Sequence, residues 1–217
     1  MRNRFFPAVL LGLMIVPASA QTPVTPIPAP VVAPVAAPKQ YATVRVTLTT
    51  SLGPITVELE KERAPITAAN FLRYVDQKRY DGITFYRRSH APGDLTVGFI
   101  QGGTGGDPKR VLPPIAHEPT TKTGLSHGDG ALSAPRFAPG TARGDFTIIV
   151  GGAPWMNANP AAPGDNLGFA VFGHVVEGMD VVRAIIAAPT SPTKGVGPMK
   201  GEMLEPAVRI LSARRTK

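Results

Sequence analysis

Few side chains in this sequence have types and spacing suited to covalent chemistry. The chain contains no cysteine, which excludes a cysteine nucleophile, a zinc–thiolate site and an iron–sulfur cluster. The run Ser126-His127-Gly128-Asp129 holds the side-chain types of a serine hydrolase triad. Residues so close in sequence do not normally adopt the triad geometry, and no Gly-x-Ser-x-Gly motif accompanies them. We therefore expect no covalent nucleophile.

Phosphate binding and metal binding are also poorly supported. Residues 102–109 (GGTGGDPK) are rich in glycine, but they lack the Gly-Lys-Ser/Thr order of a phosphate-binding loop. The four histidines, His90, His117, His127 and His174, do not show the paired spacing of zinc ligands. We therefore predict neither a metal ion nor any other cofactor.

The charge distribution argues against nucleic acid as a partner. The formal net charge is +8, of which residues 1–40 contribute +3 and the remaining chain +5. The densest basic cluster is the tail formed by Arg214, Arg215 and Lys217. A nucleic-acid site would instead show a stripe of Lys and Arg interleaved with aromatic residues. We expect a solvated basic surface and no nucleic-acid binding.

The first twenty residues have the three parts of a signal peptide. A positive start with Arg2 and Arg4 precedes an apolar segment at 5–16, and small residues follow at 18–20. Twelve apolar residues are too few to span the ~30 Å hydrocarbon core of a bilayer as an uncleaved anchor. The pattern predicts export to the periplasm or the medium, with cleavage after residue 20 and no stable membrane insertion.

A proline-rich segment follows the predicted cleavage site. Six of the 24 prolines lie in residues 22–39. Proline fixes φ and removes a backbone donor, so neither a helix nor a sheet is expected there. We interpret residues 21–40 as a semi-rigid linker. A ligand for proline-binding grooves is the alternative. Residues 41–217 are long enough for one domain with a substantial core.

Hydrophobic periodicity in that domain indicates mainly β-structure. Alternating apolar residues predict a hairpin over 43–59, and helical spacing begins at Pro65 and returns at 179–187. Glycine- and proline-rich loops separate the further strands, which we predict at 83–88, 96–101, 130–134, 146–151, 169–175 and 207–212. Eight strands and two helices favour a closed eight-stranded antiparallel β-barrel capped by two α-helices, because closure removes the sheet edges.

Five segments, in order, resemble the cyclophilin family of peptidyl-prolyl cis-trans isomerases. Each segment is a weak signal alone, but their order and the strands and helices between them make the resemblance specific. The resemblance extends over residues 43–212. The segments are 53–59 (GPITVEL), 64–71 (APITAANF), 80–87 (YDGITFYR), 98–103 (GFIQGG) and 169–179 (FAVFGHVVEGM).

The resemblance implies an isomerase that needs no covalent intermediate. Rotation about an X–Pro amide has a barrier of about 18–20 kcal/mol, because the nitrogen lone pair is conjugated with the carbonyl. A donor aimed at the prolyl nitrogen stabilises the deconjugated form. By resemblance, Arg87 supplies that donor and Gln101 holds the substrate backbone. Arg88 is the neighbouring candidate, but it would require a one-residue shift to the other face of the strand.

The resemblance also implies a proline pocket, with several departures from the family pattern. Gly98 stands where the family has a pocket Phe, but a gap in the alignment would give that role to Phe99. Thr147 replaces the second Phe of a Phe-Phe pair, which predicts a wider, more polar pocket. Pro135-Arg136 aligns with an Ala-Asn backbone clamp, and an insertion at roughly 89–96 follows Arg87. We predict that the substrate-binding residues are Phe99, Ala134, Pro135, Arg136, Asp145, Phe146, Thr147, Leu167 and Phe169.

The sequence thus predicts a monomeric, exported peptidyl-prolyl isomerase that acts on proline-containing segments of unfolded or partly folded proteins. The alternative is a proline-peptide-binding or scaffold protein that keeps the barrel but has lost efficient turnover. Gly98, Thr147 and Pro135-Arg136 favour that alternative, whereas Arg87 and Gln101 favour the enzyme.

Overall fold

The structure is a computed structural model and describes residues 39–216. Within this part, eight antiparallel strands form a closed barrel in the order β1-β2-β7-β5-β6-β4-β3-β8, as predicted. The strands are β1 (Val44–Thr50), β2 (Gly53–Leu59), β3 (Thr84–Ala91), β4 (Asp94–Gly103), β5 (Ala131–Ala134), β6 (Phe146–Val150), β7 (Ala170–Glu177) and β8 (Met203–Thr216). The predicted signal peptide and residues 21–38 of the predicted linker lie outside the described residues.

The first hairpin shows how side-chain alternation builds the barrel interior. Val46 and Leu48 of β1 pair with Val57 and Ile55 of β2, and all four side chains are fully buried. Successive side chains of a strand point to opposite faces, so the residues between them point outward. The period-two pattern of the sequence therefore assigns the inner and outer faces correctly in this hairpin.

Three α-helices occur in the described residues, whereas two were predicted. They are α1 (Pro65–Asp76), α2 (Thr120–Thr123) and α3 (Met179–Ala187). The additional helix, α2, is a single turn that ends at Gly124, where φ is +68°. Four residues of sequence TTKT carry no apolar stripe, which explains why periodicity did not indicate this helix. No helix in residues 39–216 is long and apolar enough to cross a membrane.

Aromatic rings fill the end of the barrel that α1 covers. Phe146 lies at the centre of the group, with ring centroids of Phe71, Tyr80 and Phe85 at 5.3, 5.5 and 5.6 Å. All four rings are at most 2% exposed. Tilted and edge-on contacts at these distances are the favourable geometry for aromatic rings. This cluster fixes the interior face of β6, whose outer face contributes to the candidate site.

The predicted insertion after Arg87 is a continuation of the β3–β4 hairpin. The ladder extends from Arg88 opposite Ile100 to His90 opposite Gly98, and Gly93 turns the chain with φ of +74°. The structure therefore shows that residues 89–95, which lie between the predicted strands at 83–88 and 96–101, form strand and turn. Residues 89–96 extend both strands, and they bring β3 and β4 into register around Arg87 and Gln101.

The last strand is longer than predicted. It covers 203–216 rather than 207–212, and it pairs with β3 through Arg87 opposite Met203 and with β1 through Arg45 opposite Thr216. Pro206 lies inside this strand and cannot donate to a ladder, so the sequence pattern is interrupted there. The extension has a functional consequence, because it places Glu202 beside β3.

Candidate active site

Arg87 is held on the outer face of β3 by Gln101 of β4 and by Glu202, which immediately precedes β8. Its Nη1 donates to Gln101 Oε1 (2.9 Å), and its Nε donates to Glu202 Oε2 (2.8 Å). Nη2 lies 2.7 Å from the same Glu202 oxygen, and the Arg87 side chain is 18% exposed. Arg87 and Gln101 also face each other in the β3–β4 register. Two partners thus fix the plane of a permanently charged guanidinium.

The Phe99 ring packs beside this guanidinium. The ring centroid of Phe99 lies 5.1 Å from the Cζ atom of Arg87. Phe99 is two residues from Gln101 on β4, so the two side chains share one face. An aromatic residue cannot occupy position 98, because a Cβ at Gly98 would lie 2.1 Å from the Ser89 carbonyl oxygen. The β3–β4 extension therefore requires glycine at 98 and leaves Phe99 as the aromatic next to Arg87.

A second apolar cluster, separate from the barrel interior, continues from Phe99 over the outer face. We call it the outer cluster. Its partly buried members are Phe99, Leu125 and Met156, and its buried members are Ala131, Ile149, Ala153 and Val171. Phe99 lies directly opposite Ile149 in the β4–β6 ladder. This arrangement offers an apolar surface immediately beside the Arg87 guanidinium, as a proline ring requires.

Thr147 faces the same side but does not widen a pocket. It lies opposite Gln101 on one side and opposite Ser133 on the other. The residue is only 3% exposed, and its Oγ1 donates to the Ser133 carbonyl oxygen (3.3 Å). The prediction of a wider, more polar pocket at this position is therefore wrong, because other atoms already cover the threonine.

Two predicted substrate-binding residues point into the barrel. Phe146 is fully buried in the aromatic cluster, and Ala134, which is 5% exposed, belongs to the same interior core. Alternation along β6 places Phe146 on the face opposite to Thr147. Neither side chain can touch a substrate on the outer face, so both support the site from beneath.

The Asp145 carboxylate accepts hydrogen bonds from neighbouring residues. Its Oδ2 accepts from the Tyr86 hydroxyl (3.0 Å), and its Oδ1 accepts from the Gly105 amide (2.9 Å). Burial, followed by the charge of Asp145, raises the pKa of Tyr86 well above its ordinary value. A Cβ at Gly103 would lie 2.4 Å from Asp145, so this close approach requires glycine. Asp145 thus organises the loop after β4 instead of presenting a free carboxylate.

The remaining predicted residues lie at the end of β5 and in the segment before β7. Phe169 is half-buried, and its amide donates to the Met156 carbonyl oxygen (3.0 Å). Leu167 is also half-buried, and its carbonyl oxygen lies 3.1 Å from His117 Nε2. Pro135 directly follows β5, and the Arg136 side chain next to it turns towards the loop that contains Leu167. The structure therefore joins Phe169 to Met156, a member of the outer cluster, and directs the Arg136 side chain to Gly168 and Asp165.

Ser133, His127 and Asn157 form a buried hydrogen-bonded chain behind Thr147. His127 Nδ1 lies 2.7 Å from Asn157 Oδ1, and Nε2 lies 2.9 Å from Ser133 Oγ. An amide oxygen only accepts, so Nδ1 carries the proton and Ser133 donates to Nε2. Burial lowers the pKa of His127, which favours the neutral ring. Ser133 is fully buried, so it cannot attack a substrate, and the chain ties β5 to the segment around Met156.

Comparison with known proteins agrees with this geometry. The sequence profile described as "Cyclophilin type peptidyl-prolyl cis-trans isomerase/CLD" matches residues 45–215. The chain belongs to the cyclophilin family. A peptidyl-prolyl cis-trans isomerase of Acinetobacter baylyi is 36% identical over 154 residues, which are 69% of this cyclophilin and 76% of the relative. The isomerase cyp18 of Streptomyces antibioticus is 37% identical over 155 residues, covering 69% and 87%.

A solved structure supports the fold of this cyclophilin. The cyclophilin type isomerase of Cryptosporidium parvum in the presence of the dipeptide Ala-Pro superposes with a TM-score of 0.63 at 19% identity. The match covers 80% of this chain and 99% of the other. The predicted family, its barrel fold and its classification as a peptidyl-prolyl isomerase are thus confirmed. Within residues 39–216, no group of three or more His, Asp or Glu side chains is placed to hold a metal ion.

Sequence reasoning missed several residues of this cyclophilin's site. Ile149 and Val171 were not singled out, although the apolar run Ile148–Val150 at the end of β6 indicates a strand covered on both faces. Glu202 was also missed, because it lies 115 positions after Arg87 and belongs to no motif. Only the β3–β8 pairing brings it to the guanidinium.

Glu202→Ala is expected to lower kcat/KM for X–Pro isomerisation about tenfold. A hydrogen bond to a charged group contributes about 1.5–3 kcal/mol, and ~1.4 kcal/mol corresponds to a factor of ten. Without Glu202, the Arg87 guanidinium loses one of its two partners and samples other rotamers. Glu205→Ala is the matched control, since Glu205 lies three residues further along the chain, in β8, and pairs with Lys194. Equal activity of the Glu202→Ala and Glu205→Ala variants would contradict the positioning role.

Thr147→Phe is expected to destabilise the protein without improving its activity. Thr147 is nearly fully covered, and an overpacked site costs about 1–3 kcal/mol of unfolding free energy. Each kcal/mol corresponds to roughly 2–4 °C in Tm for a domain of this size. Thr147→Val keeps the shape and should change Tm less. A gain in kcat/KM for Thr147→Phe would instead show that the pocket has an unfilled volume.

Proposed function

We propose that this protein isomerises X–Pro bonds in unfolded or partly folded polypeptides outside the cytoplasm. The observation that carries the proposal is the Arg87 guanidinium, fixed between Gln101 and Glu202 beside an apolar surface. A fixed donor next to an apolar surface is the combination that amide rotation at proline needs, since one group meets the nitrogen and the other meets the ring.

Arg87 supplies the electrostatic part of the reaction. As the X–Pro bond twists, the prolyl nitrogen loses conjugation and becomes a hydrogen-bond acceptor, which Arg87 stabilises. Arginine has five N–H groups, and each terminal nitrogen carries two of them. Gln101 engages only one N–H of Nη1, so a donor remains for the substrate. Because both partners hold the guanidinium in place beforehand, little reorganisation is needed in the transition state.

The outer cluster supplies the proline-binding part. Phe99 is its member beside Arg87, and Ile149 and Val171 lie at its base. Phe169 joins it through the hydrogen bond from its amide to the Met156 carbonyl oxygen. The related isomerase of Cryptosporidium parvum was crystallised in the presence of Ala-Pro, which supports a proline-containing peptide as the ligand here. Gln101 binds Arg87 through its amide oxygen, and we assign its amide nitrogen to the substrate backbone.

The N-terminal sequence supports a role in the folding of exported proteins. Residues 1–20 have the composition of a signal peptide, and a proline-rich segment separates them from the barrel. Uncatalysed isomerisation takes about 10–100 s at 25 °C and can limit folding, so an isomerase acts where chains arrive unfolded. N-terminal sequencing of the exported protein should begin at Gln21, and a mature product that retains Met1 would refute export by this signal.

A protease-coupled isomerisation assay on X–Pro peptides tests the enzymatic part. The mature protein should accelerate isomerisation, and heat-denatured protein should not. Isothermal titration with the same peptides provides a second measurement. Acceleration supports the proposed enzyme. Binding without acceleration would favour the non-catalytic peptide-binding alternative, and the absence of both would overturn the proposed function.

A further inference from the structure

The Arg136 guanidinium is almost completely buried and fully hydrogen-bonded. Nε and Nη2 both donate to the Gly168 carbonyl oxygen, at 2.9 and 2.6 Å. Nη1 and Nη2 donate to the two Asp165 carboxylate oxygens at 2.8 and 2.9 Å, and Nη1 also donates to the Phe137 carbonyl oxygen at 3.2 Å. The side chain is only 4% exposed. All five N–H groups of the arginine are therefore used within the protein.

These bonds connect the end of β5 to the segment that precedes β7. Gly168 is followed by Phe169, and the Arg136 Cζ atom lies 5.6 Å from the Phe169 ring centroid. The opposite side of this segment is packed tightly, because a Cβ at Gly168 would lie 2.4 Å from the Met156 carbonyl oxygen. The guanidinium thus holds Phe169 from one side. On the other side, the backbone amide of Phe169 donates a hydrogen bond to the Met156 carbonyl oxygen.

We propose that Arg136 is a positioning residue that holds Phe169 as a wall of the proline pocket and makes no bond to the substrate backbone. The proposal rests on the proposed isomerase function. Arg136 occupies the position at which the resemblance implied a backbone clamp. Since no N–H group remains free, its contribution to binding is expected to pass through the loop of residues 165–169.

The partner of Arg136 keeps this arrangement constant over a wide pH range. Hydrogen bonds from Arg136, together with the Leu167 amide, lower the pKa of Asp165 to about 2. The carboxylate is therefore charged at every pH at which peptide binding is normally measured. No other acidic side chain is hydrogen-bonded to the Arg136 guanidinium within the described residues. The Arg136–Asp165 ion pair is therefore present at neutral pH, and His117, whose Nε2 lies 3.1 Å from the Leu167 carbonyl oxygen, is the titratable side chain that faces the same loop.

Arg136→Ala tests the proposal in the mature protein, with Arg136→Lys and Asp165→Asn as milder variants. Arg214→Ala is the matched control, because Arg214 makes a similar two-bond pair with Asp81 on the C-terminal strand. Hydrogen exchange of residues 165–169 reports on the loop. Peptide affinity can be followed through Trp155, the single tryptophan, which lies one residue from Met156 and is 70% exposed.

In Arg136→Ala, we expect faster exchange at the Leu167 and Phe169 amides, KM for X–Pro peptides raised about tenfold and kcat changed less than twofold. Lysine has three donors and no planar fork, so Arg136→Lys should recover only part of the affinity. Asp165→Asn should act in the same direction but more weakly, and Arg214→Ala should leave KM and loop exchange unchanged.

Two outcomes would overturn the positioning role. A raised KM with unchanged hydrogen exchange at 165–169 would show that Arg136 contacts the substrate directly. Unchanged exchange with unchanged peptide affinity would show that Arg136 neither orders the loop nor contributes to binding. A wild-type protein without isomerase activity would defeat the proposed function separately. In that case, loop exchange and the affinity measured by Trp155 fluorescence still decide the role of Arg136.

Discussion

Arg87→Ala is expected to reduce kcat/KM for X–Pro isomerisation by about 10²–10³-fold while leaving the fold intact. Removal of one preorganised donor typically costs about 2.7–4 kcal/mol of transition-state stabilisation. Arg87 lies on the outer face of β3 and is only partly buried, so its loss leaves no cavity in the barrel interior. The measurement is kcat/KM in the protease-coupled assay, accompanied by Tm.

Arg87→Lys is expected to restore little of that activity. Lysine keeps the positive charge, but it cannot bind Gln101 and Glu202 at once while presenting a further donor at a fixed angle. Substantial rescue by lysine would show that charge alone is sufficient, and the geometric argument would then be wrong.

Arg45→Ala is the matched control for Arg87. Arg45 also bonds a glutamate from a neighbouring strand, with Nε 2.9 Å from Glu58 Oε2, but it lies on β1, away from the site. Its replacement should change kcat/KM by less than twofold. Arg88→Ala tests the register, because Arg88 pairs with Ile100 on the opposite face of β3. A larger activity loss for Arg88→Ala than for Arg87→Ala would mean that the site is misassigned.

Phe146→Ala is expected to lower the unfolding free energy strongly while changing the isomerase activity of the folded protein little, which is the opposite of Arg87→Ala. Truncation of a buried phenylalanine typically costs about 3–5 kcal/mol of unfolding free energy. Phe146 is fully buried and contacts three other rings, so little relaxation can refill its volume. At roughly 2–4 °C per kcal/mol, Tm should fall by about 6–20 °C.

The control for this variant is Phe137→Ala. Phe137 is 97% exposed, so its removal leaves no cavity and should shift Tm by less than 2 °C. Phe146→Leu should lie between the two, because leucine fills part of the volume. If Phe146→Ala kept the wild-type Tm but lost peptide affinity, Phe146 would belong to the binding surface, as the resemblance alone implied.

The barrel was predictable because alternation and turn residues act locally. The β1–β2 hairpin and α1 follow from residue spacing within about a dozen positions. Residues 89–96 were harder, since Ser89 and His90 carry no clear alternation and only pairing with Phe99 and Gly98 makes them strand. Single-turn α2 carries no periodic signal at all.

The site residues Arg87, Phe99 and Gln101 were predicted from the resemblance of segments 80–87 and 98–103 to cyclophilins. The alternation of β4 explains why Phe99 and Gln101 share one face. The bonds that hold these side chains come from distant segments. Glu202 lies beside Arg87 because β8 pairs with β3. The Arg136 guanidinium is fully hydrogen-bonded by groups that include Asp165 and Gly168 of a distant loop. Such contacts depend on the closed barrel, and no local pattern indicates them.

The pairing of β1 with β8 places the seam of the barrel between the two ends of the described chain. Arg45 lies opposite Thr216, and Thr50 lies opposite Ile210, about 160–170 positions later. A ribosome adds about 5–20 residues per second, so β8 is synthesised several seconds after β1. Until then, β1 has an unpaired edge that could join with another chain. The barrel can therefore close only after β8 has been synthesised.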